Sequence, residues 1–301
     1  MEEHMSSDKT RSRPLPAGSA ASIPTAEARG LTPRRDKDVT SNETAQNWPL
    51  RRVGLRVQNL AACVDYYSQL GFAIVRDERD QQGGGSVGLG AGNKEILSLR
   101  VFPGGHPRQP RTAGLFHFAL LVGDEVELGS FLKHRIDRQL PIDGASDHLV
   151  SQALYLSDPE GNGIEVYADR PRETWQFQRD GQLQMDTIHL NAPALLQKAQ
   201  PFSGFSTSLR LGHMHLNVGN LERSMAFYQT LGMNLMIGIP GQADFLSWDG
   251  YHHHLGVNLW AGRNIPPVAP DAFGIDFYEI QREGLASGTL QDPDGVMVIV
   301  R

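Results

Sequence analysis

Eleven histidines and a single cysteine, Cys63, occur in this chain of 301 residues. One thiol can form neither an internal disulfide nor a thiolate cluster, so any metal must be held by nitrogen and oxygen atoms. The histidines are unevenly placed. His213 and His215 sit two apart in Gly212-His-Met-His-Leu216, and His252, His253 and His254 are consecutive in Tyr251-His-His-His-Leu255. His117 interrupts the apolar run Gly114-Leu-Phe-His-Phe-Ala-Leu-Leu-Val122. Neutral imidazole ligates divalent first-row metals and carries protons near neutral pH. A lone histidine on an apolar strand is nevertheless more often packed core than ligand. Glu165 is the sharpest acidic candidate. In Gly163-Ile-Glu-Val-Tyr167, strand alternation points it the same way as Gly163 and Tyr167. A carboxylate in an interior costs several kcal/mol unless it is metal-bound or paired. An ion pair with Arg170 or Arg172 is the bland alternative.

Hydrophobic residues make up 40% of the chain and charged residues 21%, an ordinary globular mix. The net charge is −6 and no basic stripe carries interleaved aromatics, so nucleic acid is not an expected partner. No run approaches the ~18 to 20 apolar residues of a membrane helix, so no membrane is expected either. The N-terminus lacks an apolar signal core, which points to the cytosol.

Residues 1–47 are rich in Ser, Pro, Ala, Thr and balanced charge, and read as a mobile tail. An internal repeat follows. Leu55-Arg-Val-Gln-Asn-Leu-Ala-Ala-Cys-Val-Asp-Tyr-Tyr-Ser-Gln-Leu-Gly71 matches Leu216-Asn-Val-Gly-Asn-Leu-Glu-Arg-Ser-Met-Ala-Phe-Tyr-Gln-Thr-Leu-Gly232 at one constant offset. Each copy predicts a strand, an Asn turn and a helix that stops at a left-handed Gly. Strand-like runs follow, Glu95–Phe102 in one copy and Tyr251–Trp260 in the other. A second repeat has a strand at Gly114–Val122, a helix at Glu125–Gln139 and a hairpin through Asp158-Pro-Glu-Gly161. Its shortened echo is Gly274–Tyr278, then Asp292-Pro-Asp-Gly-Val-Met-Val-Ile-Val300. The fold class is therefore α+β, with four βαβββ modules, the last degraded, forming paired, curled mixed sheets or open barrels. By chain order, 48–169 is a first module pair, 170–210 a connector and 211–301 a second pair. A connector of that length should carry structure, with Trp175, Phe177 and the Ala194-Leu-Leu-Gln-Lys run packed onto a domain.

These features resemble the vicinal oxygen chelate superfamily, which holds glyoxalases, bleomycin resistance proteins and extradiol dioxygenases. The stretch Gly144–Glu165, with its Asp-Pro-Glu-Gly-Asn-Gly-Ile-Glu end, and the pairing of Gly212-His-Met-His-Leu216 with Tyr251-His-His-His-Leu255 are most similar to catechol 2,3-dioxygenases. The resemblance covers about residues 50 to 300. In that family a metal ligand sits five residues before the Val of each module's first strand. Those positions hold Arg52, His117 and His213 in modules one to three, and Gly274 or Phe277 in module four. The matching last-strand position holds Glu165 in module two and Ile299 in module four.

The resemblance thus implies a metal set of His117, His213 and Glu165, holding Fe(II) with Mn(II) as a substitute, and with one face open to substrate and O2. Most relatives take all ligands from the second module pair. Here modules two and three would have to face one another, within the chain or across a dimer. If modules three and four closed separately, the set would be His213, one of His252 or His254, and Glu279. The family's catalytic histidine maps onto His254, with His252 sharing its strand face and His253 pointing away as structural or exposed. Tyr155 stands ten residues before Glu165, where the family has a tyrosine that hydrogen-bonds substrate or an oxygen intermediate. His148, a few residues upstream, matches a family histidine less closely. His215 orients a ligand or lines the pocket, and Asn258 and Trp260 continue the face of His254. Arg52 fills a lost ligand position as an ion-pair residue. The implied activity is ring opening of a small catechol-like diol with both atoms of O2, by a cytoplasmic enzyme whose copies could assemble as a homodimer or higher oligomer. Rival readings are a glyoxalase-type isomerase or transferase, which usually uses four ligands, and a metal-free binding or resistance protein, which needs none.

Overall fold

The structure is a computed structural model that describes residues 48–301, and the tail expected over 1–47 lies outside the described residues. Module one contains β1 (Leu50–Val57), α1 (Leu60–Leu70), β2 (Ala73–Arg79), β3 (Gly85–Ala91) and β4 (Lys94–Val101). Module two contains β5 (Gly114–Leu121), α2 (Glu125–Asp137), β6 (Gly144–Asp147), β7 (Ser151–Ser157) and β8 (Gly163–Asp169). A short helix α3 (Ala192–Leu196) lies in the connector. Module three contains β9 (Arg210–Asn217), α4 (Leu221–Thr230), β10 (Asn234–Ile239), β11 (Ala243–Ser247) and β12 (Leu255–Asn258). Module four is reduced to β13 (Gly274–Ile280), β14 (Gly288–Gln291) and β15 (Met297–Val300).

The repeated helices form for the reasons their sequences suggest. α1 buries Leu60, Cys63, Val64, Tyr67 and Leu70 at three- and four-residue spacing. Asn59 caps it by accepting from the Ala62 amide, and Gly71 ends it at φ 116°. In α4, Asn220 accepts from the Arg223 amide, and Gly232 follows at φ 79°.

Two sheets result. One runs β14-β15-β13-β1-β4-β3-β2 and the other β10-β11-β12-β9-β5-β8-β7-β6. The sheets therefore cross the chain-order division into 48–169 and 211–301, because module one shares a sheet with module four and module two with module three. Each first strand has one edge taken by a parallel strand of its own module, β4 for β1 and β8 for β5. Its other edge needs a partner, and the antiparallel pairs β1–β13 and β5–β9 supply it. Consecutive modules are tied differently. The Tyr67 hydroxyl of α1 donates to Asp158 at 3.0 Å, and the Gln58 and Asn59 amides donate to Glu160. The second pair repeats this, with Tyr228 donating to Asp292 at 2.7 Å and the Gly219 amide to Asp294.

The connector is structured. Trp175 and Leu195 are buried, whereas Phe177, expected to pack, is 58% exposed. The strand expected over Tyr251–Trp260 is only Leu255–Asn258, and residues 251–254 bend. Among the described residues, no helix is long and apolar enough to cross a membrane.

Candidate metal centre

The shared sheet of modules two and three brings the three implied ligands together around one small residue. Ala119 of β5 is the register partner of Glu165 on β8 and of His213 on β9. Register partners project from the same face, and His117 shares it two residues earlier. The methyl of Ala119 leaves room above it for the longer side chains on both sides to lean inward.

Two bulges flank the ligands. Leu115 and His117 face Leu216 and His215, so Phe116 is an extra residue in β5. Ala119 and Leu120 face His213 and Leu211, so Gly212 is an extra residue in β9. Bulges re-aim neighbouring side chains and recur beside active sites. Gly212 has a spatial reason as well, because a Cβ there would lie 2.1 Å from the Tyr167 hydroxyl.

His117 Nε2 lies 3.0 Å from Glu165 Oε2, His213 Nε2 lies 3.2 Å from the same oxygen, and the two nitrogens are 3.3 Å apart. All three residues are buried, none more than 7% exposed. Ligand atoms about 2.1 Å from an ion and at right angles to one another are about 3.0 Å apart, so the separations suit one face of a six-coordinate ion. Among the described residues, no other trio of His, Cys, Asp or Glu converges in this way.

The protonation states suit a cation too. Burial pushes the His213 imidazole down to about 4, against the pull of Glu165. Burial also works to raise Glu165, but His213 and His117 overcome it and hold the carboxyl well below its usual range. At neutral pH this leaves a carboxylate beside a neutral His213 ring, the forms that bind metal. The expected alternative partner for Glu165 is engaged elsewhere, since Arg170 pairs with Asp147 and Arg172 donates to the Asp249 carbonyl.

Tyr155 and His148 join the site. Tyr155 is the register partner of Glu165, and its ring centroid is 6.1 Å from that of His117. His148 Nδ1 is 2.8 Å from the Asp186 carbonyl, which can only accept, so Nδ1 carries the hydrogen. In the neutral ring, Nε2 then accepts from the Tyr155 hydroxyl. Burial first, and then the Glu165 charge, raise the Tyr155 phenol well above its ordinary value.

The histidine triplet departs from expectation. Because 251–254 bend, the face parity counted along a continuous strand fails. His254 packs among Trp48, Trp248 and Tyr251, and its Nδ1 meets Ser247 and the Trp248 amide. His253, expected to be structural or exposed, is the member that meets the centre, with its ring centroid 4.2 Å from that of His213. His252 lies behind it, with Nδ1 2.8 Å from His253 Nδ1 and Nε2 3.0 Å from Asp169. His215 packs between His117 and Trp260, with centroids 4.9 and 5.0 Å away. Asn258 is buried and accepts from the Trp260 amide, while Trp260 is 44% exposed against Phe116.

The other sheet carries the same frame without ligands. Arg52 stands where His213 does, Phe277 where His117 does, Ile299 where Glu165 does and Glu279 where Ala119 does. Arg52 pairs with Glu279 at 3.1 Å and Glu95 at 3.0 Å, and lies 5.4 Å from the Phe277 ring centroid. Glu279 is thereby held in the other sheet, so the alternative set of His213, His252 or His254, and Glu279 does not assemble.

Residues 50–166 match the sequence pattern of the Glyoxalase/Bleomycin resistance protein/Dioxygenase superfamily. A Bacillus subtilis (strain 168) protein named catechol-2,3-dioxygenase is 39% identical over 232 residues, which span 75% of this chain and 80% of that protein. The chain belongs to this superfamily. Its fold is likewise that of the superfamily. Glyoxalase I from Zea mays superposes with a TM-score of 0.52 at 17% identity, over 85% of this chain and 92% of that one.

His253, Ala119 and Tyr167 were not singled out by residue type and spacing. The signal for His253 was the Tyr251-His-His-His run itself, whose direction depended on a bend. Ala119 left no signal, because an alanine in an apolar strand is ordinary.

Proposed function

We propose that this protein is an extradiol ring-cleaving dioxygenase that opens a small catechol-like diol with both atoms of O2, using Fe(II), or Mn(II) in its place. The convergence of His117, His213 and Glu165 carries this reading, and the 39% identical relative named catechol-2,3-dioxygenase supports it. Two imidazoles and one carboxylate are the donor set of non-haem Fe(II) oxygenases. A bound ion of this kind supplies the electron transfer between diol and O2 that ring opening requires.

The chain's own residues supply position and protons. Tyr155 stays a phenol at neutral pH, and His148 orients its hydroxyl, so it can hydrogen-bond a substrate oxygen beside Glu165. Asp169 accepts from His252 Nε2, which leaves His252 Nδ1 as an acceptor for His253 Nδ1–H. His253 Nε2 is then the atom able to take a proton from the diol and return it. His252 acts through His253 as a positioning residue. His215 Nε2 is buried and has no hydrogen-bond partner among the described residues. Phe116 and Trp260, half-exposed in edge-to-face contact, form an aromatic rim suited to a planar ring. The reading places the enzyme in the cytosol.

The test is anaerobic Fe(II) loading followed by catechol and air. A yellow ring-fission product from the wild type, and none from His213→Ala, is the expected result. Colourless mixtures with catechol and simple alkylcatechols, alongside turnover of a methylglyoxal–thiol adduct, would overturn it.

A further inference from the structure

The connector between modules two and three touches both edges of the ligand-bearing sheet. That sheet ends in β10 on one side and β6 on the other, with the three candidate ligands on its central strands. On the β10 side, residues 176–184 fold into a small hairpin. The Gln178 amide donates to the Gln182 carbonyl at 2.7 Å, the Gln184 amide donates to the Gln176 carbonyl, and Gly181 turns the chain at φ 85°. The Gln182 side chain is held at both ends. Its amide nitrogen donates to Asp180, and its oxygen accepts from the Gly238 amide of β10 at 3.0 Å. On the β6 side, Asp147 and Ile188 exchange two backbone hydrogen bonds of 2.9 and 3.0 Å. The anchors at Gln182 and Ile188 are six residues apart, and six residues reach at most about 20 Å. The curl of the sheet thus brings its two edges within the span of one short segment. Leu183, beside the first anchor, is fully buried.

The β6 anchor lies on the turn that carries His148. The Asp147 carboxylate accepts from the Leu149 amide at 2.9 Å and pairs with Arg170. The His148 amide donates to the Ser151 carbonyl at 2.8 Å. Leu149 sits at φ 70°, a left-handed conformation that leucine adopts only where its surroundings impose it. Against this fixed turn the connector presents the Asp186 carbonyl, 2.8 Å from His148 Nδ1, while the Asp186 carboxylate turns back to the Thr187 amide. A carbonyl has only lone pairs to offer. A neutral ring with its hydrogen on Nε2 would set the Nδ1 lone pair against them. The connector therefore selects the Nδ1–H form, and the choice passes to Tyr155. Its hydroxyl donates to His148 Nε2, which leaves its oxygen lone pairs for a donor in the site, such as a diol hydroxyl. The opposite tautomer would reverse that hydroxyl.

We propose that the connector is a positioning element of the metal centre: anchored to β10 and β6, it uses the Asp186 carbonyl to fix the His148 tautomer, and with it the direction of the Tyr155 hydrogen bond. The consequence for turnover rests on the dioxygenase reading; the tautomer does not.

Ile188→Pro is the test. Ile188 is 44% exposed, so proline removes the amide that donates to Asp147 without entering the core, and Ile188→Ala keeps that amide. Nitrogen NMR of metal-free protein with isotopically labelled histidine, above neutral pH, reads the tautomer, and the His148 signals are those missing from His148→Gln. Wild type and Ile188→Ala should carry the hydrogen on Nδ1, and Ile188→Pro should show a mixture of both tautomers. Hydrogen on Nε2 in the wild type overturns the proposal, as does a proline variant that keeps Nδ1–H alone. The wild-type spectrum needs no variant, so a poorly folding Ile188→Pro leaves the proposal falsifiable. In the iron-loaded enzyme Ile188→Pro should lower kcat about tenfold, the scale of one hydrogen bond, with iron content unchanged. In the Tyr155→Phe background it should lower kcat no further, because changes that act through one group do not add. An equal fall in both backgrounds would make the connector merely structural and overturn the proposal. If no form turns over catechol, the dioxygenase reading fails while the tautomer spectra still decide this one.

Discussion

Ala119 and Glu279 occupy the same position in the two sheets, the first between Glu165 and His213 and the second between Ile299 and Arg52. Where the central residue is a methyl, three donor atoms converge. Where it is a carboxylate, an arginine arrives and an ion pair fills the space. The frame is retained in both sheets, bulges included, since Arg51 and Asp276 are the extra residues corresponding to Gly212 and Phe116.

Ala119→Leu should therefore empty the metal centre without unfolding the chain. The added carbons enter the space into which Glu165 and His213 lean, and overpacking of this kind costs about 1–3 kcal/mol. Metal content per chain after gel filtration should fall sharply, with the far-ultraviolet circular dichroism unchanged. Ala119→Gly, which adds no volume, should retain metal. Equal retention by the leucine variant would show that this space is not critical.

Tyr155→Phe removes only the hydroxyl that His148 orients. On the proposed mechanism kcat falls by about 10²-fold, the usual contribution of a positioned proton donor or acceptor. Iron content should stay at the wild-type level, because the tyrosine is not a ligand. Undiminished kcat would remove Tyr155 from the reaction and leave it a packing residue.

Arg52→Ala should act on stability alone. It removes the guanidinium shared by Glu95 and Glu279, each of which keeps a second arginine, Arg76 at 3.0 Å and Arg301 at 3.4 Å. The expected loss is about 1 kcal/mol in urea unfolding, below the range for a stranded buried charge because both carboxylates stay paired and Arg52 is partly solvated. Adding Glu279→Gln should recover part of it. Metal binding should not change, since His117, Glu165 and His213 all lie in the other sheet.

Asp292 makes stability pH-dependent in the acidic range. Burial, with a lesser contribution from Asp294, raises its carboxyl from 3.8 to about 6. The folded state therefore holds a proton that the unfolded chain has already released. Its stabilising contribution is complete below about pH 4 and is lost as the pH rises through 6. Relative to Asp292→Asn, the wild type should lose roughly 3 kcal/mol across that window, from a shift of about two pH units. Urea melts of both proteins from pH 4 to 7 check it, and parallel curves would rule the effect out.

Local patterning carried much of this protein. The constant offset between Leu55–Gly71 and Leu216–Gly232 determined the modules; Asn59 and Asn220 cap the helix starts, Gly71 caps the end of α1, and Gly232 takes a left-handed conformation just past the end of α4, as their types imply. His117, His213 and Glu165 stood out through spacing within their own strands and a family resemblance, and those local positions survive folding. Which modules share a sheet was not legible. Every first strand has an open edge, and alternation within a strand says nothing about which distant edge will close it. Face parity at His252–His254 was equally hidden, because one bend in the backbone reverses a count that assumes a continuous strand. The room that Ala119 leaves, the ion pair of Arg52 and Glu279, and a cavity lined by Trp48, Trp175 and Arg210 all arise between segments far apart in the chain. Only packing brings those side chains into contact, and so only the tertiary structure decides them.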